Sequence, residues 1–281
     1  CNGLNMLMQF TKMHGLGNDF VVIDALTQNV RISGSMVRRL SDRAHGIGCD
    51  QILVVEPPTE KDIDFDYRIF NQDGAEVEQC GNGARCLARF VKDRKLTGKS
   101  SIRVKTVNRV MNLKINADNS VRVDMGVPLL EPSEIPFKAS LKSLLYDIDI
   151  AGHSYSISAV SMGNPHAILQ VDDVQAAPVA VLGAQLECHE RFPNRVNAGF
   201  MQVVDRKQLN LRVFERGAGE TQACGSGACA AAVAAMRLEL VDSQVTVHLT
   251  SGDLTIEWQG EGESLIMTGP AVTVFHGRIR I

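Results

Sequence analysis

Alternating apolar and polar residues, and short runs of β-branched ones, recur along most of the chain. Such runs bury one or both faces of a strand, and they predict strands at 20–23, 52–55, 66–70, 102–107, 110–115 and 121–125. The second half repeats the theme at 155–160, 167–171, 200–204, 209–214, 245–250, 254–258, 265–268 and 272–281. Helical spacing is clearest in two places. Ala84, Leu87, Ala88 and Val91 fall on one helical face, whereas residues 228–238 are almost wholly apolar, which predicts a helix buried on all sides. Each half therefore reads as strands wrapped around one central helix.

Both predicted helices follow a cysteine and glycine block, QCGNGARC (79–86) in the first half and ACGSGAC (223–229) in the second. Other landmarks recur in the same order at a near-constant offset: Gly17-Asn18 with Gly163-Asn164, Gln51 with Asn197, and FNQDGAEVEQC (70–80) with FERGAGETQAC (214–224), the last without a gap. This predicts an internal duplication. The fold expected is α/β of the α+β type, with two pseudo-symmetric β-rich domains, each a mostly antiparallel sheet around a central helix. The active site is expected in the cleft between them, since domain interfaces favour small-molecule sites. The first domain is expected over 6–126, completed by the C-terminal strand 270–281, and the second over 127–269. The proline-containing stretch 127–137 serves as the linker.

Composition narrows the function by exclusion. A net charge of −3, with basic and acidic residues interspersed, gives no footprint for nucleic acid and points to a small-molecule substrate. No apolar run reaches the roughly 20 residues of a membrane helix. The opening CNGLNMLMQF lacks both a basic stretch and a sustained apolar one, so no leader is expected in it, and Met6 or Met8 reads as the native start. A cytoplasmic location follows. Seven cysteines in a chain of 281 residues then read as reduced thiols rather than a disulfide framework. Neither block contains a histidine to complete a zinc set, so no metal is expected.

A helix N-terminus carries unpaired N–H groups and about half a positive charge, so a thiol there ionises more readily than at its free value of about 8.5. The glycines let backbone approach a ligand closely, so the N–H groups at Gly81, Asn82, Gly225 and Ser226 can hold a carboxylate. Moving a proton off one face of a carbon and onto the other requires a base and an acid on its two sides. A matched pair of thiols from a duplicated domain serves both directions of such an inversion. One positioned acid or base contributes roughly 10²- to 10⁴-fold, so oriented N–H donors must supply much of the rest. No residue context demands pyridoxal phosphate, and no cofactor is expected. Two thiols flanking one carbon are also expected to oxidise together, with reversible loss of activity.

From about Met8 to Ile281 the chain resembles the diaminopimelate epimerase family. The blocks KMHGLGNDFVVID, GIGCDQILVVEPP, FNQDGAEVEQCGNGARC, SMGNPHA and FERGAGETQACGSGAC carry the resemblance, in that family's order. It implies a cofactor-independent enzyme that interconverts LL- and meso-diaminopimelate, in lysine and peptidoglycan precursor synthesis. It implies Cys80 and Cys224 as the acid and base, with the backbone at Gly81-Asn82 and Gly225-Ser226 around the reacting carboxylate. Asn18, Gln51, Asn71, Asn164, Asn197, Glu215 and Arg216 match substrate-binding positions, chiefly for the non-reacting end, and His166 and Glu215 match residues that tune the catalytic groups. A homodimer is the family's usual assembly. Ala75 stands where the family's block would have serine, and Cys49 fills a variable position that adds an oxidisable thiol beside Gln51.

Structural roles compete with these functional ones. Asn next to Gly commonly makes a tight turn, Glu215-Arg216 suits an exposed charge pair, and Cys86 and Cys229 suit small core positions. Cys80 and Cys224 would read equally well as buried thiols were the block not duplicated. A redox or zinc protein would pair Cys80 with Cys86 and Cys224 with Cys229, and a nucleotide-binding module would need a G-x-G-x-x-G turn that is absent. Within the enzyme class the alternative is a two-cysteine racemase like those acting on proline. Glu215, Arg216 and the asparagines favour a substrate with a second amino-acid centre, which proline lacks.

Overall fold

The computed structural model describes residues 7–77 and 81–281. By contact density it divides into Cys1–Val123 with Gly269–Ile281, and Asp124–Thr268.

In the first unit β1 (Leu7–Gly15) and β2 (Asn18–Asp24) form an antiparallel hairpin. Its two-residue turn puts Leu16 at φ 56 and Gly17 at φ 85, both left-handed, as a tight hairpin turn compatible with strand twist requires. After α1 (Gly34–Ser41) the chain returns as β3 (Gln51–Glu56), parallel to β2, and β4 (Phe65–Asn71) runs antiparallel to β3. A short β5 (Glu76–Val77) precedes α2 (Gly81–Asp93), and β6 (Ser101–Lys105), β7 (Val110–Ile115) and β8 (Val121–Gly126) follow as an antiparallel meander whose first strand lies parallel to β4.

The second unit repeats the scheme. An antiparallel trio of β9 (Tyr146–Ile150), β10 (His153–Ser161) and β11 (Pro165–Gln170) leads through α3 (Val179–Glu187) to β12 (Asn197–Asp205), parallel to β11. Strands β13 (Gln208–Glu215) and β14 (Gly219–Thr221) precede α4 (Gly225–Arg237), and β15 (Gln244–Leu249), β16 (Gly252–Glu257) and β17 (Leu265–Gly269) close it, with β15 parallel to β13. The last strand, β18 (Val272–Arg280), belongs to the first unit and pairs antiparallel with β1.

Residues 228 to 235 of α4 are all buried, which matches a helix surrounded by strands; α2 buries Ala84, Cys86, Leu87, Ala88, Phe90 and Val91. Helices α1 and α3 were not legible as periodic runs. Each lies in the crossover joining two parallel strands, a connection that needs a dozen or more residues and is usually helical. Strand β1 was missed because Lys12 interrupts its apolar run; the lysine is nonetheless buried, within an ion cluster. Cys49 is fully buried, its thiol 3.6 Å from Ser41 Oγ and pushed up by burial, so the expectation of a readily oxidised thiol there is corrected. Cys188 is exposed. No helix among the described residues is long and apolar enough to cross a membrane.

Candidate active site

Strand pairing decides which polar side chains share a face. In the first unit Phe20 pairs with Gln51 and Gln51 with Asn71, and Asn18, two residues before Phe20, lies on the same face. Gln51 Nε2 donates to Asn71 Oδ1 at 2.8 Å. Oε1 of Gln51 and Oδ1 of Asn18 are buried with no hydrogen-bond partner among the described residues. Buried acceptors are rarely left in this state without a ligand or water to fill them.

The helix mouth of α2 is tight. A Cβ on Gly15 would lie 3.0 Å from an Arg85 nitrogen and 3.4 Å from Asn82 Cβ, so glycine is needed where β1 passes the helix. Asn82 is buried, Gly81 half-buried, and Asn82 Oδ1 accepts from Arg85 at 2.9 Å. Arg85 is wholly buried, and its Nε donates to Pro270 O at 3.0 Å. Cys80 lies outside the described residues, and with it the expectation of joint oxidation with Cys224.

In the second unit Cys224 caps α4, its backbone extended at φ −117 and its carbonyl accepting from Ala228 N at 2.9 Å. Its side chain is buried, with Sγ 3.6 Å from Ser226 Oγ. A Cβ on Gly227 would sit 3.0 Å from a Val213 methyl and 3.3 Å from Cys224 Sγ, so only glycine leaves the sulfur its place. Burial, and next the charge of Glu215, push the Cys224 thiol well above its ordinary range, so the expectation of a readily ionised thiol at this helix end is corrected; the hydroxyl of Ser226 and the Gly227 N–H act against them.

A chain of hydrogen bonds leads away from this sulfur. Asn164 Nδ2 lies 3.3 Å from Ser226 Oγ, and His166 Nε2 lies 3.1 Å from Asn164 Oδ1. His166 is fully buried, and burial, with Arg216 second, pushes its pKa down to about 3. The ring is therefore neutral at physiological pH. With Asn164 presenting its oxygen, Nε2 carries the proton and donates it, and the Asn164 amide donates onward to Ser226 Oγ. The Ser226 hydroxyl, thus engaged as an acceptor, is left to donate toward sulfur.

Asn197 is held at both ends of its amide, donating to Pro165 O at 3.0 Å and accepting from Arg216 N at 2.9 Å. The Arg216 guanidinium donates to Asn194 O at 2.9 Å, and Glu215 Oε1 accepts from Thr221 Oγ1. Glu215 is half-buried and Arg216 exposed, and each is bonded to a partner of its own, Thr221 and Asn194. Sequence reading missed Thr221, Arg85 and Glu187, whose carboxylate accepts from Gly217 N at 2.8 Å and holds the turn after Arg216. Arg85 did leave a signal, since GNGARC has one residue more than GSGAC before its second cysteine. Among the described residues no three His, Cys, Asp or Glu side chains gather as a metal site.

The family model described as diaminopimelate epimerase matches residues 10–130 and 158–274. The diaminopimelate epimerase of Ectopseudomonas mendocina (strain ymp) is 56% identical over 98% of this chain and 100% of its own length. That of Azotobacter vinelandii is 58% identical with the same coverage. Among solved structures, a phenazine biosynthesis protein of the PhzF family from Bacillus anthracis superposes with a TM-score of 0.70 at 16% identity, covering 98% of this chain and 100% of its own. A hydroxyproline epimerase from Agrobacterium vitis, with bound trans-4-hydroxy-L-proline, does so with a TM-score of 0.70 at 13% identity, covering 99% and 94%. At such identities these two structures share the fold.

Proposed function

The chain belongs to the diaminopimelate epimerase family, and on that premise we propose that it interconverts LL- and meso-diaminopimelate by proton transfer at one α-carbon, with Cys80 and Cys224 as base and acid. The observation that carries the chemistry is the buried thiol of Cys224 at the mouth of α4, backed by Ser226, Asn164 and His166. Burial and Glu215 favour the thiol over the thiolate, so Cys224 rests as the proton donor. When it gives its proton to carbon, the sulfur becomes an anion, and the oriented Ser226 hydroxyl meets that charge as it forms. Hydrogen bonds to charged groups contribute roughly 1.5–3 kcal/mol each. In the same step Cys80 removes the α-proton from the other face, and the reverse reaction exchanges the two roles.

The N–H groups at Gly225-Ser226 and Gly81-Asn82 take the carboxylate at the reacting centre, because the first N–H groups of a helix lack acceptors within it. Asn18, Gln51, Asn71, Asn164, Asn197, Glu215 and Arg216 hold the rest of the substrate, and His166 and Glu215 tune the sulfur. The unfilled oxygens of Asn18 and Gln51 suit the N–H groups of an ammonium. The alternative of a proline-type racemase has fold-level likeness behind it, whereas whole-chain identity of 56–58% lies with diaminopimelate epimerases.

The same proposal places the protein in lysine and peptidoglycan precursor synthesis, in the cytoplasm, where cysteines stay reduced. It acts as a homodimer in this reading. Exposed Leu7, Val272, Val274 and Phe275 on the paired strands β1 and β18 support the last point, and the mass in solution by light scattering checks it.

The deciding experiment follows LL-diaminopimelate in D₂O by NMR with reduced protein, beside Cys80→Ala and Cys224→Ala. Deuterium entry at the α-carbon with meso product, lost in either variant, is expected. Absence of exchange by folded, reduced protein would overturn the assignment.

A further inference from the structure

Four charged side chains of the first unit form a knot. Asp19, at the start of β2, and Asp50, just before β3, clasp each other's backbone: Asp19 N donates to Asp50 Oδ2 at 3.0 Å, and Asp50 N donates to Asp19 Oδ1 at 2.8 Å. Arg43 bridges the two carboxylates, at 2.8 and 3.1 Å from Asp19 and 2.8 Å from Asp50. Lys12 reaches in from β1, 2.5 Å from Asp19 Oδ2, and also donates to Gly48 O. Burial would raise the Asp19 carboxyl, yet the hydrogen bonds from Arg43 and Lys12 outweigh it and hold it well below the usual range. Two cations and two anions leave the knot neutral.

Its position in the chain gives it meaning. Asp19 directly follows Asn18 and Asp50 directly precedes Gln51, the two residues whose amide oxygens are buried without a partner among the described residues. In the second unit the corresponding positions are Pro165 and Val196, neither of which can form such a clasp. There Asn197 spends its own amide on scaffolding, donating to Pro165 O and accepting from Arg216 N. The first unit delegates that scaffolding to charged neighbours, so Asn18 and Gln51 keep an oxygen unspent.

We propose that Asp19, Asp50 and Arg43 are positioning residues that fix Asn18 and Gln51 for the substrate without touching it, so that the knot sets substrate affinity rather than the rate of proton transfer. This rests on the reading of Asn18 and Gln51 as substrate-binding residues. Arg43 and Asp50 are the residues to change, because their side chains are 57% and 38% exposed and their loss leaves no cavity. Loss of an interaction equally strong in ground and transition states raises KM and leaves kcat alone, so Arg43→Gln and Asp50→Asn should each raise KM about tenfold with kcat within about twofold. Arg43→Lys, which keeps the charge but not the two-pronged contact, should recover part of the loss.

A purely structural role would lower the unfolding temperature while leaving KM of the folded fraction unmoved, and that result would overturn the proposal. A second measurement is independent of turnover. The side-chain amide signals of Gln51, whose Nε2 is bonded to Asn71, should shift in Arg43→Gln relative to wild type in ¹⁵N NMR. Unshifted signals would also overturn the proposal. If the wild-type protein fails to turn over diaminopimelate, the functional reading falls, and the Gln51 signals still decide the positioning role.

Discussion

The first turns of α2 and α4 share a glycine pattern and differ in charge. Both open on glycine, a small polar residue and glycine, and in both a glycine is forced by close approach, Gly15 beside α2 and Gly227 within α4. In the gapless alignment of the two blocks, however, Arg85 stands opposite Cys229, Asn71 opposite Glu215 and Asn82 opposite Ser226. The mouth of α2 thus has a wholly buried cation reaching back to its first turn, whereas the mouth of α4 has a carboxylate and a hydroxyl. A buried cation favours an anion at α2, and Glu215 with burial favours the neutral thiol at α4. The two blocks thus keep the same glycines and differ in the charged and polar side chains beside them.

The largest test of this contrast is Cys224→Ala. It should lower formation of the meso product from LL-diaminopimelate by roughly 10²- to 10⁴-fold, the usual contribution of one positioned acid or base. Retained inversion would mean that α4 is not the donor side.

Next comes the cation at α2. Arg85→Met leaves Asn82 Oδ1 and Pro270 O without that donor, at a cost of roughly 1–3 kcal/mol for each acceptor, which urea unfolding would read directly. Unchanged stability would remove the buried cation from the comparison.

On the other side, Ser226→Ala keeps the backbone N–H but removes the hydroxyl that faces sulfur. The ionisation of kcat/KM belonging to Cys224 should move up by about one to two pH units, equivalent to a charged hydrogen bond. A profile that does not move would leave the chain from His166 to Cys224 without effect on the thiol.

The smallest effect is one of stability. His166 has its pKa depressed in the folded protein, so the unfolded chain binds its proton first as pH falls. Its contribution is complete above pH 6.5 and declines toward pH 3, at a limiting slope of about 1.4 kcal/mol per pH unit. The difference in unfolding free energy between wild type and His166→Gln, measured from pH 7 to 5, should shrink accordingly. A pH-independent difference would mean that the ring is not held neutral.

What the sequence disclosed followed from repetition. The glycine and cysteine blocks, the strands of alternating residues and the two central helices were legible because the chain states them twice. Helices α1 and α3 were not, since they arise from the need to cross between parallel strands rather than from their own periodicity. Gln51 and Asn197 could be matched as a pair, but not their different employment, one with an oxygen unspent and the other bonded at both ends. Arg43 was invisible for a similar reason: it lies in a loop, and the fold alone brings it to Asp19 and Asp50. Ser226 was read for its backbone, while its hydroxyl gains a direction from His166 and Asn164, which are remote in sequence.

The pairing of β1 with β18 sets an order of events during synthesis. The unit spanning Asp124–Thr268 is continuous and can complete its own contacts as it emerges from the ribosome, whereas β1 must wait for Val272–Arg280 before its register from Leu7 with Arg280 can form. Contacts so far apart in sequence close slowly. The nascent chain therefore finishes its later unit first and carries an unclosed sheet edge until β18 is made, so truncation before Val272 would leave one unit folded and the other open.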